Sequence, residues 1–471
     1  LSAVFSVALG LAASPAQAAW SKLTTVDSGA YLMRVQSPDG VVVATGGLTV
    51  QQAGMTFQAK QHVHGSRNRG RQFSEISGSL LNDADPMSVT AITFIDRDHG
   101  WVGIGNKVYR TSDGGTTWDA TVAGSTTRDL HFFDAQNGVR VGDNGAIGLT
   151  TNGGATWEQK VTGVDADLQR TFWLDRDHGW VSGYWQDVDK LATRAVVLRT
   201  SDGGQTWQSS AILDGYGAGA IHFVGDGQTG WLAALKHNRQ GEPDVYASEA
   251  HLFRSTDGGA TWQDTNLPLE VGKLSSFGFT NPIKTARIHG MYWADAQRGH
   301  LAAGAYLGSS TAGSSGGMTS TSQTTWYWKI VDYFTTDGGA TWQKTELGTL
   351  MSSLNSPPPS DGPLTDATFS DLYNGWYVAS SSVFGTSKSC TTDVECGDAY
   401  RCLQSRCETA EPPAILPDGG TLTRADGGTA EEDADRNFVK AGCECGSTSA
   451  PVLGLLALAL IVLRKRRAHD A

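Results

Sequence analysis

The sequence predicts an all-β chain closed into a seven-bladed β-propeller of four-stranded blades, and three observations carry that prediction. One eight-residue pattern occurs five times, seven segments read as the opening strand of a repeated unit, and an orphan outer strand at the N-terminal end matches an outer strand missing at the C-terminal end. With 471 residues, 58 glycines and 15 tryptophans, the composition suits a large β body.

The pattern is Thr111-Ser112-Asp113-Gly114-Gly115-Thr116-Thr117-Trp118, and its copies end at Trp157, Trp207, Trp262 and Trp342, with spacings of 39, 50, 55 and 80 residues. One unit carrying insertions of different length explains that series. Asp113, Asn152, Asp202, Asp257 and Asp337 sit at the third position, where a side-chain oxygen accepts hydrogen bonds from backbone N–H groups two or more residues on. The paired glycines supply positive φ. Each closing Trp begins a strand and offers a large apolar area to the joint between units. Asn152 keeps the turn chemistry without the charge, so the carboxylate acts by hydrogen bonding, and the repetition marks a folding device rather than a calcium or catalytic site. Val50–Phe57 reads as a degenerate sixth copy.

The opening strands are read over 30–37, 89–96, 127–134, 169–175, 218–225, 286–295 and 364–371, each followed by a turn closing on glycine. Trp20–Val26 has the character of the strand that follows the pattern, without a copy of its own before it. Blade seven is therefore built from both chain ends, which leaves no open sheet edge. From turn glycine to closing Trp the distance grows from 18 residues (Gly100 to Trp118) to 28, 32 and 43 after Gly179, Gly230 and Gly299. All of the growth lies between second and third strands, so the insertions converge on one rim.

Outside the propeller, read as 20–385, residues 1–19 are apolar and end in small residues, as a secretory signal does. Cys390, Cys396, Cys402 and Cys407 form a Cys-rich module over 386–410, read as two disulfides of open connectivity, with a zinc site as the alternative. Residues 411–441 read as a disordered acidic linker. Residues 442–471 carry Cys443 and Cys445, an apolar run long enough for roughly 25 Å of helix and a basic terminus, read as a membrane segment. A formal charge of −12 argues against nucleic acid as partner.

The repeated pattern resembles the Asp-box (BNR) repeat of sialidases, sortilin-type receptors, xyloglucanases and the photosystem II assembly/stability factor family, all β-propellers. The cadence of Gly-Trp second strands and boxes over 20–385 is most similar to the last of these, which implies partner binding. The final 30 or so residues resemble the myxobacterial C-terminal sorting tail (MYXO-CTERM), which implies an exported protein held at the cell surface, with Cys443 or Cys445 as the processing or anchoring position.

Function is sought where the units differ, on loops borne by the rigid scaffold. Gln61–Arg71, read as the link from blade one to blade two, gathers His62, His64, Arg67, Arg69 and Arg71 as an anion or glycan contact, or else a solvated loop. Trp185 beside Asp187 and Asp189 offers a sugar-stacking face, with local packing of the Trp as the alternative. Trp326 and Trp328 close a Gly/Ser/Thr-rich insertion. Arg128, Arg170 and Arg287 stand near the starts of opening strands, within reach of the central channel, where they suit a carboxylate. No cofactor, metal site or catalytic residue is assigned. A glycosidase needs two carboxylates at a set separation across one pocket, and no pair stands out; Met33-Arg34-Val35-Gln36 lacks the Pro of the sialidase Arg-Ile-Pro signature. The reading is a non-enzymatic surface scaffold for an unknown protein or glycan, with a sialidase-like or other glycoside hydrolase as the rival.

Overall fold

The computed structural model describes residues 19–25, 31–37, 43–53, 56–68, 70, 72–82, 89–187, 192–237, 248–269, 272–276, 279–283, 286–312, 322–352, 364–372, 374–379, 382–387, 400–403 and 406–409. Seven antiparallel sheets of four successive strands form the blades, and the seventh takes Ala19–Thr25 as its outer strand beside Leu364–Phe369, Gly375–Ala379 and Ser382–Ser387. Closure by the N-terminal strand is thus as expected, and the propeller's strands run from Ala19 to Ser387, slightly beyond the predicted limits. The opening strands are Tyr31–Gln36, Val89–Phe94, Thr127–Phe132, Asp167–Trp173, Tyr216–Val224, Ala286–Trp293 and Leu364–Phe369.

Because side chains alternate along a strand, each blade offers one apolar face to each neighbour, and one buried cluster fills each of the seven joints. Trp101 stacks on Phe132 of the next blade at 3.6 Å, Trp180 on Phe223 at 3.9 Å and Trp231 on Trp293 at 3.5 Å. The box tryptophans meet the aromatic near the end of an opening strand edge-on: Trp118 with Phe94, Trp157 with Phe132, Trp207 with Trp173, Trp262 with Phe223 and Trp342 with Trp293. Each box therefore locks a turn and seals a joint.

Within a box the hydroxyl and the carboxylate divide the backbone between them. Thr111 Oγ1 accepts the Gly115 N–H at 2.8 Å, while Asp113 accepts the Thr117 N–H at 2.9 Å and its hydroxyl at 2.7 Å. Asn152 reproduces this with Oδ1 accepting the Thr156 N–H at 2.9 Å and Nδ2 donating to the Thr156 hydroxyl at 2.8 Å. Gly114 and Gly115 hold φ of 69° and 91°, and a Cβ on Gly115 would fall 2.5 Å from the Ile76 carbonyl of the preceding blade.

The sixth copy lies elsewhere than predicted. Residues 50–53 end the second strand of blade one and 56–57 begin its third, with Gln52 paired to Phe57. The box geometry occurs at Ser66–Phe73: Ser66 Oγ accepts the Gly70 N–H at 2.9 Å, Asn68 Oδ1 accepts the Gln72 N–H at 3.0 Å, and Phe73 packs in the joint between blades seven and one. With that strand pair placed, blade one joins blades four, five and six in having second and third strands of eight or more residues. A further hairpin, Gly272–Ser276 with Phe279–Ile283, joins the sheet of blade six through a parallel pairing of Ser275 with Ser309; the sequence reading did not include it.

Hydrogen bonds from the hydroxyl and N–H of the Thr four residues on hold the Asp202, Asp257 and Asp337 carboxyls at about 2, below their ordinary 3.8. Depressed folded-state values contribute stability above about pH 4 that is lost as pH falls through about 2. Asp257→Asn should keep near-native stability at pH 7 and flatten the acid limb of a urea-unfolding pH series, while Asp257→Ala should lose about 1–2 kcal/mol at neutral pH. Equal losses in the two variants would show that the charge, not the hydrogen bonding, matters.

Candidate functional site

All seven opening strands carry a register shift near their start, at Leu32/Arg34, Val89/Ala91, Thr127/Asp129, Leu168/Arg170, Ala218/Ile221, Ile288/Gly290 and Leu364/Asp366. A bulge leaves an extra residue outside the ladder and re-aims it. Here the extra residues of the first six strands, Met33, Thr90, Arg128, Gln169, Gly219 with Ala220, and His289, line a central cavity of about 510 Å³. Arg34, Arg170, Arg287 and Tyr184 complete its polar wall. The cavity lies at the insertion rim, since Arg128 Nε donates at 2.6 Å to Asp143, in the turn between second and third strands of blade three.

Among the described residues four guanidinium groups line this cavity, and no carboxylate does. Acids hold three of these arginines, Arg34, Arg128 and Arg170, in place. Asp366 of blade seven accepts the Val35 N–H at 3.1 Å, and its other oxygen lies 3.4 Å from Arg170 Nη2 and 3.9 Å from Arg34 Nη1, so one carboxylate ties blades one, four and seven together across the channel. Arg34 Nε donates to the Thr90 carbonyl at 2.5 Å. Burial and the neighbouring Arg170 lower Arg34 to about 10, which leaves it protonated at neutral pH. Burial pushes the Asp129 carboxyl up, against the pull of Arg170 and a hydrogen bond from the Thr171 N–H at 2.9 Å. Burial, followed by the Asp167 charge, raises the Tyr184 phenol.

Arg128, Arg170 and Arg287 all line this cavity together with Arg34, which the sequence reading weighed only as part of a failed signature. The other candidates disperse. His62 and His64 lie buried on the third strand of blade one, Thr56–Ser66, and Arg67 in the turn after it, donating to the Arg97 carbonyl at 3.2 Å. This stretch is a third strand and a box turn, not an interblade link, so Arg67 stands on the rim opposite the insertions. Trp185 packs half-buried on the cluster between blades three and four, with the Arg194 guanidinium 5.6 Å over its ring. Asp187 ends the second strand of blade four. Trp326 and Trp328 fall on the third strand of blade six, opposite Gly308 and Tyr306. Cys402 and Cys407 are register partners in the hairpin of Tyr400–Leu403 and Arg406–Thr409. Arg69, Arg71, Asp189, Cys390, Cys396, Cys443, Cys445, the signal segment, the acidic linker and the apolar tail lie outside the described residues. Among the described residues no helix is long and apolar enough to cross a membrane.

The model of the BNR/Asp-box repeat matches residues 333–344, the box of blade six. A search of curated proteins finds no match. Among solved structures, YCF48 bound to D1 peptide aligns over 80% of this chain and 97% of its own, at 13% identity and a TM-score of 0.44. YCF48 from Cyanidioschyzon merolae aligns over 78% and 98%, at 15% identity and a TM-score of 0.45. The extracellular domain of the putative one component system BT4673 from B. thetaiotaomicron aligns over 79% of this chain and 40% of its own, at 6% identity and a TM-score of 0.48. The chain is a seven-bladed β-propeller that carries a BNR/Asp-box repeat at residues 333–344.

Proposed function

We propose that this propeller is a non-enzymatic binding scaffold, exported and held at the cell surface, whose central cavity receives an anionic group, foremost a carboxylate, of a partner protein or glycan. The observation that carries the reading is the cavity wall: guanidiniums from blades one, three, four and six line the opening, and those of blades one, three and four are oriented by Asp366 and Asp143. Such an arrangement keeps donors aimed before a ligand arrives, and Arg suits the planar geometry of a carboxylate. Export and surface attachment rest on the apolar start and on the Cys motif, apolar run and basic end of the chain.

Arginines and acids in a central pocket are also what a glycosidase would require, and one observation favours that rival: Asp129 is half-buried and its carboxyl pushed up, as a general acid needs. Against it, Asp129, Asp143 and Asp366 are each engaged by backbone N–H or arginine partners. The mature chain should bind peptides ending in a free carboxylate, or acidic glycans, with affinity that falls as salt rises. Arg170→Gln and Arg287→Gln should each weaken that binding about 10- to 100-fold, and amidated peptides should not bind. Turnover in a sialoside and glucan panel that disappears in Asp129→Asn would replace this reading with a hydrolase.

A further inference from the structure

Blade one holds a cluster that the cavity does not use. His62 and His64 are two residues apart on one strand, so both leave the same face, and their rings lie nearly parallel with centroids 6.0 Å apart. Glu75, on the fourth strand, is the register partner of His64, and its Oε1 lies 2.6 Å from His62 Nδ1. The three residues can each bring one ligand atom within 4.8 Å of the others, the only such group of His, Cys, Asp or Glu among the described residues. Both imidazoles are buried, whereas the Glu75 side chain is 38% exposed, so the cluster opens to solvent on one side. Ser77 Oγ donates to Glu75 Oε1 at 2.9 Å, the kind of outer hydrogen bond that orients a liganding carboxylate.

The molecule contains its own control. Blade five repeats the third-strand His and fourth-strand acid as His251 and Asp264, 2.6 Å apart. There the residue two positions on is Phe253, packed in the joint between blades four and five. The His–acid pair alone is therefore a structural unit of this fold. Blade one departs from it by placing a second imidazole where blade five places an aromatic ring.

The geometry points to a divalent transition-metal site formed by His62, His64 and Glu75. Two imidazoles and one carboxylate suit Zn²⁺ and its first-row neighbours, whereas Ca²⁺ and Mg²⁺ take oxygen ligands. Three protein ligands leave a position for water or an outside donor on the exposed side. Binding would replace the His62–Glu75 hydrogen bond, because the imidazole and the carboxylate would both turn lone pairs to the metal.

The full chain, stripped with a chelator, is titrated with Zn²⁺ by calorimetry and with Co²⁺ by visible absorption. One equivalent should bind with Co²⁺ d–d bands that lack thiolate charge transfer, which separates this site from the cysteines of 390–407. His64→Phe, which copies blade five, should abolish that equivalent, and Glu75→Gln should weaken it at least about 10-fold, with native near-ultraviolet circular dichroism in the metal-free state. Should His64→Phe misfold, Glu75→Gln alone decides. No such equivalent in the wild type, a Co²⁺ spectrum carrying only thiolate charge transfer, or a titration unchanged in the variant that folds overturns the assignment.

Discussion

A chain lacking residues 19–25 should fail to give a monodisperse, cooperatively unfolding propeller, and a synthetic peptide of those residues should restore both properties. The strand Ala19–Thr25 pairs with Ser382–Ser387 from Ala19 opposite Ser387 to Thr25 opposite Ser382. Its removal would uncover the N–H and C=O groups along that edge, a template for pairing with other chains. Leu23 also packs against the cluster of Leu32, Val35, Trp376, Val378 and Val383 that joins blades seven and one. The fit is close: a Cβ on Gly385 would fall 2.6 Å from Leu23 Cδ1. Leu23→Ala separates the two contributions, since it keeps the strand and should lose about 2–3 kcal/mol in urea unfolding, toward the low end for Leu because the side chain is only partly buried. Size-exclusion chromatography and thermal melts of the deletion read the larger effect. A monomeric deletion with an unchanged melt would mean that the ring does not depend on this strand.

What was legible in the sequence was what is local. Five boxes could be read because donor and acceptor lie within eight residues of one another, and their order along the chain is the order of their hydrogen bonds. The sixth was misplaced because Val50–Phe57 keeps a glycine and an aromatic but has no hydroxyl at its first position. Ser66-x-Asn68-x-Gly70-x-Gln72-Phe73 conserves the hydrogen-bonding capacity while changing most residue types. Reading capacity rather than identity would have found it. It would also have moved Arg67 from an interblade link to a turn. Arg128, Arg170 and Arg287 were legible from their places near strand starts. Arg34 was not, because its role depends on Asp366, which the closing of the ring brings to it, and on a bulge that no local pattern announces. The hairpin over 272–283 escaped for a related reason: its attachment is a parallel pairing to a strand beyond the next one in sequence.

Trp231→Ala should be among the most damaging single substitutions in the propeller, at about 3–5 kcal/mol with little change in the urea m-value. Trp231 has no exposed surface, stacks on Trp293 at 3.5 Å with planes 5° apart, and carries the Arg254 guanidinium 5.7 Å over its ring. Truncation opens a cavity that rigid sheets on both sides cannot collapse to fill, so the cost exceeds the loss of apolar area alone. Trp293→Phe makes the informative contrast. It recreates the Trp-on-Phe stack that joins blades two and three and blades four and five, and should cost less than about 2 kcal/mol. Trp293 ends the strand Ala286–Trp293, whose other end carries Arg287 and His289 into the central cavity. The joint and the cavity wall are therefore two ends of one strand. Trp231→Ala should also weaken ligand binding under conditions where the variant is still folded, whereas Trp293→Phe should leave it near wild type. A loss under about 1 kcal/mol for Trp231→Ala would show that the stacked pair is not what holds blades five and six together.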